Sequence, residues 1–241
     1  MENQHITIAI DGPSGAGKSS LARAAAERFG IAYVDTGAIY RTVGLAVKRG
    51  GADPAKETDV AGLLPGLDIR VTHDGAGAQR MLLEGEDVSD EIRLPEVSIY
   101  TSKVSAMPAV RAFLLETQRA FARGGSVVMD GRDIGTVVLP DAKLKIFLTA
   151  SPEDRARRRL EELRSGGVQA DYGEVLRDII RRDETDTRRA YAPLRAAEDA
   201  VVVDTTGNTV ERSRELIFEL IALRFPGLPG GKGGQKKSQL P

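Results

Sequence analysis

The residues best suited to chemistry are Gly12-Pro13-Ser14-Gly15-Ala16-Gly17-Lys18-Ser19, two glycines five apart followed by lysine and serine. In this pattern, backbone N–H groups of a glycine-rich loop wrap a polyphosphate, and a following helix N-terminus favours the anion. Lys18 would reach the β- and γ-phosphates, and the Ser19 hydroxyl would sit on Mg²⁺. The implied ligand is a nucleoside triphosphate. Such a loop needs a strand before it and a helix after it. His5-Ile6-Thr7-Ile8-Ala9-Ile10-Asp11 is short, β-branched and apolar, as a buried strand should be. Ser20 to Phe29 places Leu21, Ala25 and Phe29 on one helical face, with Gly30 as a C-terminal stop.

Other chemistries are poorly served. The chain has no cysteine, so disulfides, thiolate catalysis and cysteine zinc sites are excluded. Its two histidines, His5 and His73, are far apart, which leaves no basis for a histidine metal cluster or a Ser-His-Asp relay. A net charge of −1 carries no nucleic-acid footprint. No apolar run approaches membrane-spanning length, and the N-terminus enters a strand almost at once, leaving no room for a signal peptide. The expected location is the cytosol, with neither nucleic acid nor membrane as partner. Guanine readout by an Asn-Lys-x-Asp signature is missing, since Asn3 and Asn208 are the only asparagines and neither precedes lysine. A motor or recombinase ATPase would want a basic stripe with interleaved aromatics, yet aromatics make up only 5% of the chain.

The elements that must position the loop alternate β and α, which predicts a parallel sheet with helices on both faces. Ile31-Ala32-Tyr33-Val34-Asp35 reads as the second strand, after which Thr36 would cap a helix through Ala46. A shorter helix is expected over Pro54 to Leu64. Leu67 to Val71 alternates, Asp74-Gly75 signals a hairpin, Gln79 to Leu83 returns, and a turn near Glu84-Gly85 leads into a third strand. This is a small antiparallel β insertion. Helices follow from Pro95 and Pro108, the second with Val110, Phe113, Leu114, Thr117 and Phe121 on one face. Ser126 to Asp130, Leu144 to Thr149 and Ala200 to Asp204 complete five core strands, and a helix from Thr209 to Phe225 closes the domain. Residues 226–241 hold Gly, Pro, Lys and Gln with almost nothing to bury, so a disordered tail is expected there.

Two charged helices lie between the last two strands. Ser151 and Pro152 read as cap and first residue of one, carrying Arg155, Arg157, Arg158, Arg159 and Arg164. Tyr172 to Arg189 carries Arg177, Arg181, Arg182, Arg188 and Arg189. Interspersed acids make most of these a solvated face. A mobile, arginine-rich helical hairpin would nevertheless suit phosphoryl transfer between two anions, which needs charge neutralisation and exclusion of water.

Several motifs in order resemble the bacterial cytidylate (CMP/dCMP) kinases. They are Ile10 to Lys18, Asp35-Thr36-Gly37-Ala38-Ile39-Tyr40-Arg41, Leu83 to Ser89, Asp130-Gly131-Arg132-Asp133-Ile134-Gly135-Thr136-Val137-Val138, and Arg182-Asp183, Asp186, Arg189 and Ala192-Pro193-Leu194. The resemblance runs from about Thr7 to Leu223 and departs mildly at Thr36 and at Ser19-Ser20. It implies a P-loop kinase fold in one domain over 1–225, with an acceptor-binding insertion at about 37–103 and a lid at about 152–189. The implied activity is transfer of the ATP γ-phosphoryl group to CMP or dCMP by a Mg²⁺-dependent monomer. Carried over residue by residue, ATP would contact Gly12, Pro13, Ser14, Gly15, Ala16, Gly17, Lys18, Ser19 and Ser20. Arg41, Arg132 and Arg189 would hold the acceptor phosphate. Ser102, Arg111 and Asp133 would read the cytosine edge, and Tyr40, Arg182 and Asp186 would contact the sugar, with Thr36 also in the substrate site. Lys18, Arg132 and Arg189 are the implied catalytic residues. Asp130 has two readings, orienting a Mg²⁺-bound water or capping the loop. The alternatives to this activity are a P-loop kinase for another small acceptor and a non-kinase regulatory ATPase.

Overall fold

Consecutive apolar residues in a strand bury both faces of a sheet, and Thr7–Asp11 (β1) shows why the site lies where it does. Ile8 and Ile10 enter a core with Phe29, Ile217 and Ile221, whereas Ala9 enters another with Val34, Ile39 and Met129. In the computed structural model, which describes residues 5–75 and 77–229, β1 is the middle of a five-stranded parallel sheet. The others are Ala32–Asp35 (β2), Val127–Gly131 (β6), Leu144–Thr149 (β7) and Val201–Asp204 (β8), in the order β2-β6-β1-β7-β8. Register brings Asp11 beside Gly131 and Phe147, Asp35 beside Asp130, and Thr149 beside Asp204. The loops after these strands therefore emerge along one edge, where open parallel sheets present ligands.

Lys18–Phe29 (α1) and Val210–Arg224 (α8) cover one face. Thr36–Arg49 (α2), Glu57–Leu63 (α3), Pro95–Val104 (α4) and Pro108–Gly124 (α5) pack on the other. The antiparallel insertion is Ile69–His73 (β3), Gln79–Leu83 (β4) and Glu86–Asp87 (β5). It is seated by Met81 and Leu83 against α2, and Gln79 clamps it to the parallel sheet. The Gln79 amide accepts from Asp35 N at 2.8 Å and donates to Asp35 O at 3.2 Å. Pro152–Ser165 (α6) and Tyr172–Thr187 (α7) form a hairpin with its own small core of Ala156, Leu160, Val175 and Ile179.

Several local expectations are corrected. Asp35, not Thr36, caps α2, its carboxylate accepting from Ala38 N at 2.9 Å. Thr36 is the first helical residue, and its hydroxyl donates to the Asp130 carbonyl at 2.6 Å. Leu67 is held by a 3₁₀ turn over Leu64–Gly66, so the first insertion strand starts at Ile69. The second charged helix ends at Thr187, leaving Arg188 and Arg189 beyond it. Pro226 to Pro229 form turns, with Leu228 packed on the α1–α8 core, because that apolar side chain finds cover there. The remainder of the expected tail lies outside the described residues. Among those described, no helix is long and apolar enough to cross a membrane.

Candidate active site

The glycine loop is set by steric necessity. Gly12 has φ 151°, and a Cβ there would stand 2.0 Å from the Leu148 carbonyl oxygen. Gly15, at φ 76°, would bring a Cβ within 3.3 Å of Arg155 Cβ. Gly17 precedes α1 in the left-handed region without a side-chain cap, so the helix N–H groups stay available to an anion. Lys18 is buried and donates from Nζ to the Pro13 carbonyl at 2.8 Å. Burial and the Arg132 guanidinium push its ammonium down to about 7, against Asp130 and Asp11. Ser20 is exposed on α1.

Ser19 Oγ donates to Asp130 Oδ2 at 2.8 Å, and Tyr33 OH donates to Asp130 Oδ1 at 3.0 Å. The Asp130 carboxylate thus holds hydroxyls rather than loop backbone. Burial raises its pKa, as does the nearby Asp35. A hydroxyl and a carboxylate are hard oxygen donors that fit Mg²⁺. No group of three or more His, Cys, Asp or Glu side chains that could hold a metal occurs among the described residues. A bound Mg²⁺ would therefore complete its shell with phosphate oxygens and water, as that ion ordinarily does.

Beyond Asp130 the chain turns through Gly131, where a Cβ would stand 2.7 Å from Ile134 Cδ1 and 2.9 Å from Thr36 Oγ1. Arg132 then donates from Nε to Asp186 Oδ2 on α7 at 2.8 Å, and Arg189 donates to the other oxygen of the same carboxylate. Burial alone would raise Asp186, but Arg132 and Arg189 carry it below the ordinary carboxylate range. Next to this group, Arg111 and Asp133 form an ion pair, both almost fully buried. Arg111 also donates to Ser105 O at 3.0 Å and lies 5.3 Å from the centre of the Tyr40 ring. Arg41 is held by Ile92 O and Ser98 Oγ, both at 3.0 Å.

Lys18, Arg132, Asp186, Arg189, Arg111, Asp133 and Tyr40 are therefore linked by contact or charge. Of the expected residues, Ser102 is exposed on α4 and stands apart. Arg182, on α7 one turn before Asp186, joins the group through its charge, which bears on Arg132, Asp186 and Arg41. The buried polar atoms left without partners among the described residues are Arg111 Nε, Gln118 Nε2, Thr136 Oγ1 and Arg189 Nε. Arg111 and Gln118 share the lining of a cavity of about 10 Å³ with Tyr40, Asp133 and Tyr191. An unmade bond on a buried donor is costly, and such donors suit an incoming ligand.

Sequence reasoning passed over Arg155 as one of a solvated set. That reading holds for Arg159 and Arg181, which make exposed pairs three residues along their own helices. Arg155 is instead buried. It donates to Ala150 O at 2.9 Å, to Ser14 O of the glycine loop at 3.0 Å, and to both oxygens of Asp183 at 3.0 and 2.5 Å. Its place in the first turn after the sheet edge was the available signal. A cavity of about 410 Å³ opens beside it, lined among others by Pro13, Ala150, Pro152, Leu194 and Thr206.

A protein-family model described as cytidylate kinase matches residues 8–223. A cytidylate kinase of Pelotomaculum thermopropionicum is 50% identical over 91% of this chain and 97% of its own length. One of Carboxydothermus hydrogenoformans is 49% identical over 90% of this chain and 97% of its own. Among solved structures, an uncharacterized protein from Eubacterium ventriosum superposes with a TM-score of 0.50 at 15% identity, covering 91% of this chain and 99% of that one. That likeness speaks for the fold alone.

Proposed function

The chain belongs to the cytidylate kinase family, and on that premise we propose that it transfers the γ-phosphoryl group of ATP to CMP or dCMP, giving ADP and CDP or dCDP. The glycine loop and Lys18 hold the donor phosphates, and Ser19 with Asp130 holds Mg²⁺, which neutralises phosphate charge when bound. The 410 Å³ cavity beside Pro13 and Arg155 takes the donor base. A phosphate oxygen of CMP attacks the γ-phosphorus while the bond to the ADP oxygen breaks. No enzyme-bound phosphoryl group is formed. The acceptor attacks as an anion, so no strong base is required, and the protein contributes positioning and charge.

The single observation that carries this reading is the Arg132–Asp186–Arg189 cluster beside Lys18. One carboxylate holds two guanidiniums at the sheet edge, ready to turn toward a phosphate that brings more charge than Asp186 does. Arg41 joins Arg132 and Arg189 on the acceptor phosphate, Tyr40, Arg182 and Asp186 then face the sugar, Thr36 borders the acceptor, and Arg111, Asp133 and Ser102 read the base. Residues 37–103 serve as the acceptor-binding insertion and 152–189 as the lid of a single domain, in a cytosolic monomer. The test is an acceptor panel with ATP and Mg²⁺: CMP, dCMP, UMP, AMP and small alcohols. CMP should give CDP with one ADP per CDP. ATP hydrolysis without CDP, or phosphorylation of a different acceptor in preference, would overturn the proposal.

A further inference from the structure

Ile134–Val138, directly after Asp133, is one turn of π-helix. Val138 N donates to Asp133 O at 3.2 Å and Leu139 N to Ile134 O at 2.7 Å, each five residues back. Such turns are rare, are frequent at functional sites, and need their surroundings to hold them. Two charged side chains do so here. Asp11 takes Ile134 N–H on Oδ1 at 2.8 Å and Gly135 N–H on Oδ2 at 2.7 Å. At the other end, Arg119 of α5 donates from Nε to Val138 O and from Nη2 to Val137 O, both at 3.0 Å. An anion therefore meets the N–H end of the turn and a cation meets its carbonyl end, matching the dipole. Glycine at 135 keeps the approach open. A Cβ there would lie 3.1 Å from Lys145 Cδ and 3.4 Å from Asp11 Oδ2.

Asp11 is buried at the end of β1, immediately before the glycine loop, and the mechanism above gives it no role. We propose that Asp11 is a positioning residue for recognition of the acceptor base. Its two bonds to the backbone of Ile134 and Gly135 hold the segment that presents Asp133, and Arg119 secures the far end. The proposal rests on the reading that Asp133 receives the cytosine amino group. Asp11 acts on the base through that segment, and small displacements of a recognition group are enough to degrade it. Its charge also favours the Lys18 ammonium, an effect common to CMP and UMP that cancels in their ratio.

Asp11→Asn keeps the shape of the side chain and leaves one acceptor oxygen. The new amide NH₂ would face a backbone N–H, donor against donor. The readout is kcat/KM for CMP and for UMP, which carries a carbonyl where cytosine has its amino group. For Asp11→Asn, kcat/KM for CMP should fall about tenfold or more, the scale of one hydrogen bond to a charged group. The selective loss should appear in the KM for CMP, whereas a change transmitted through Lys18 falls equally on CMP and UMP. The CMP-to-UMP ratio therefore falls. Asp133→Ala alone should remove most of that ratio, and adding Asp11→Asn to it should change the ratio no further. Arg119→Gln should shift the ratio in the same direction and keeps the proposal testable if Asp11→Asn does not fold. A folded Asp11→Asn or Arg119→Gln with the wild-type ratio, where Asp133→Ala has lost it, overturns the positioning role and leaves the base-reading assignment standing. Equal losses for CMP and UMP would also overturn the positioning role. If Asp133→Ala keeps the ratio, the base-reading assignment itself fails and the role of Asp11 falls with it.

Discussion

Lys18 and Asp11 show how burial turns ordinary charges into specialised ones. The Lys18 ammonium sits against the Pro13 carbonyl with Arg132 close by, so it is poorly solvated until phosphates arrive. Lys18→Ala should reduce kcat by about 10²-fold or more, the scale of other preorganised electrostatic groups, while circular dichroism shows a folded protein. Arg41→Ala should weaken CMP and UMP about equally, because phosphate is common to both; kcat/KM with each nucleotide checks this. Asp11 makes a stability prediction. Burial lifts its pKa from 3.8 to about 6, although the Gly135 and Ile134 N–H groups pull the other way. The folded state then binds the proton more tightly than the unfolded chain. The contribution of Asp11 to stability is largest below about pH 4 and is lost as pH rises through about 6. Relative to Asp11→Asn, the wild type should lose on the order of 3 kcal/mol between those limits, since each pKa unit is worth about 1.4 kcal/mol. Urea unfolding of both proteins at intervals across that range measures the difference, and a constant difference would refute it.

Among the elements, the α6–α7 hairpin is the one that packs around a small core of its own. Its core holds four buried residues and is separate from the two cores that flank the sheet. Arg155 ties the base of α6 to Ser14 and to Asp183 on α7, and Asp186 ties α7 to Arg132. The Arg155–Ser14 hydrogen bond crosses from the hairpin to the glycine loop and the Arg132–Asp186 ion pair crosses to the sheet edge, so charge arriving at either place bears on the hairpin. Amide exchange across 152–187 should slow when a non-hydrolysable ATP analogue and CMP bind together, and less with either alone. Unchanged protection in the ternary complex would show that the hairpin does not close.

For the molecule as a whole, the sheet separates two apolar cores and carries the glycine loop and the Arg132–Asp186–Arg189 cluster along one edge. Ile10 is fully buried between α1 and α8 on one face, next to the register that aligns Asp11 with Gly131. Ile10→Ala should cost about 2–5 kcal/mol, through lost transfer energy and a residual cavity. For a chain of this size that lowers Tm by on the order of 10 °C. Scanning calorimetry gives the shift, and activity at low temperature should survive it because the substitution leaves the edge loops in place.

The sequence by itself determined the first strand, the glycine loop and the helix after it, the alternation that makes the sheet parallel, and the antiparallel insertion. Those features depend on neighbours within a few residues: a period of two, a positive φ that glycine tolerates, a Ser-Pro helix start. The order of motifs was enough to indicate the family as well. Tertiary structure decided which charges matter. Arg132 meets Asp186 across 54 residues, Arg155 meets Ser14 across 141, and Asp11 meets Ile134 and Gly135 across 123 and 124. Arg155 and Arg159 look alike in sequence, yet one is buried against the phosphate loop and the other is solvated. A charge acquires its role from the dielectric and partners around it, and those are set by packing between distant segments.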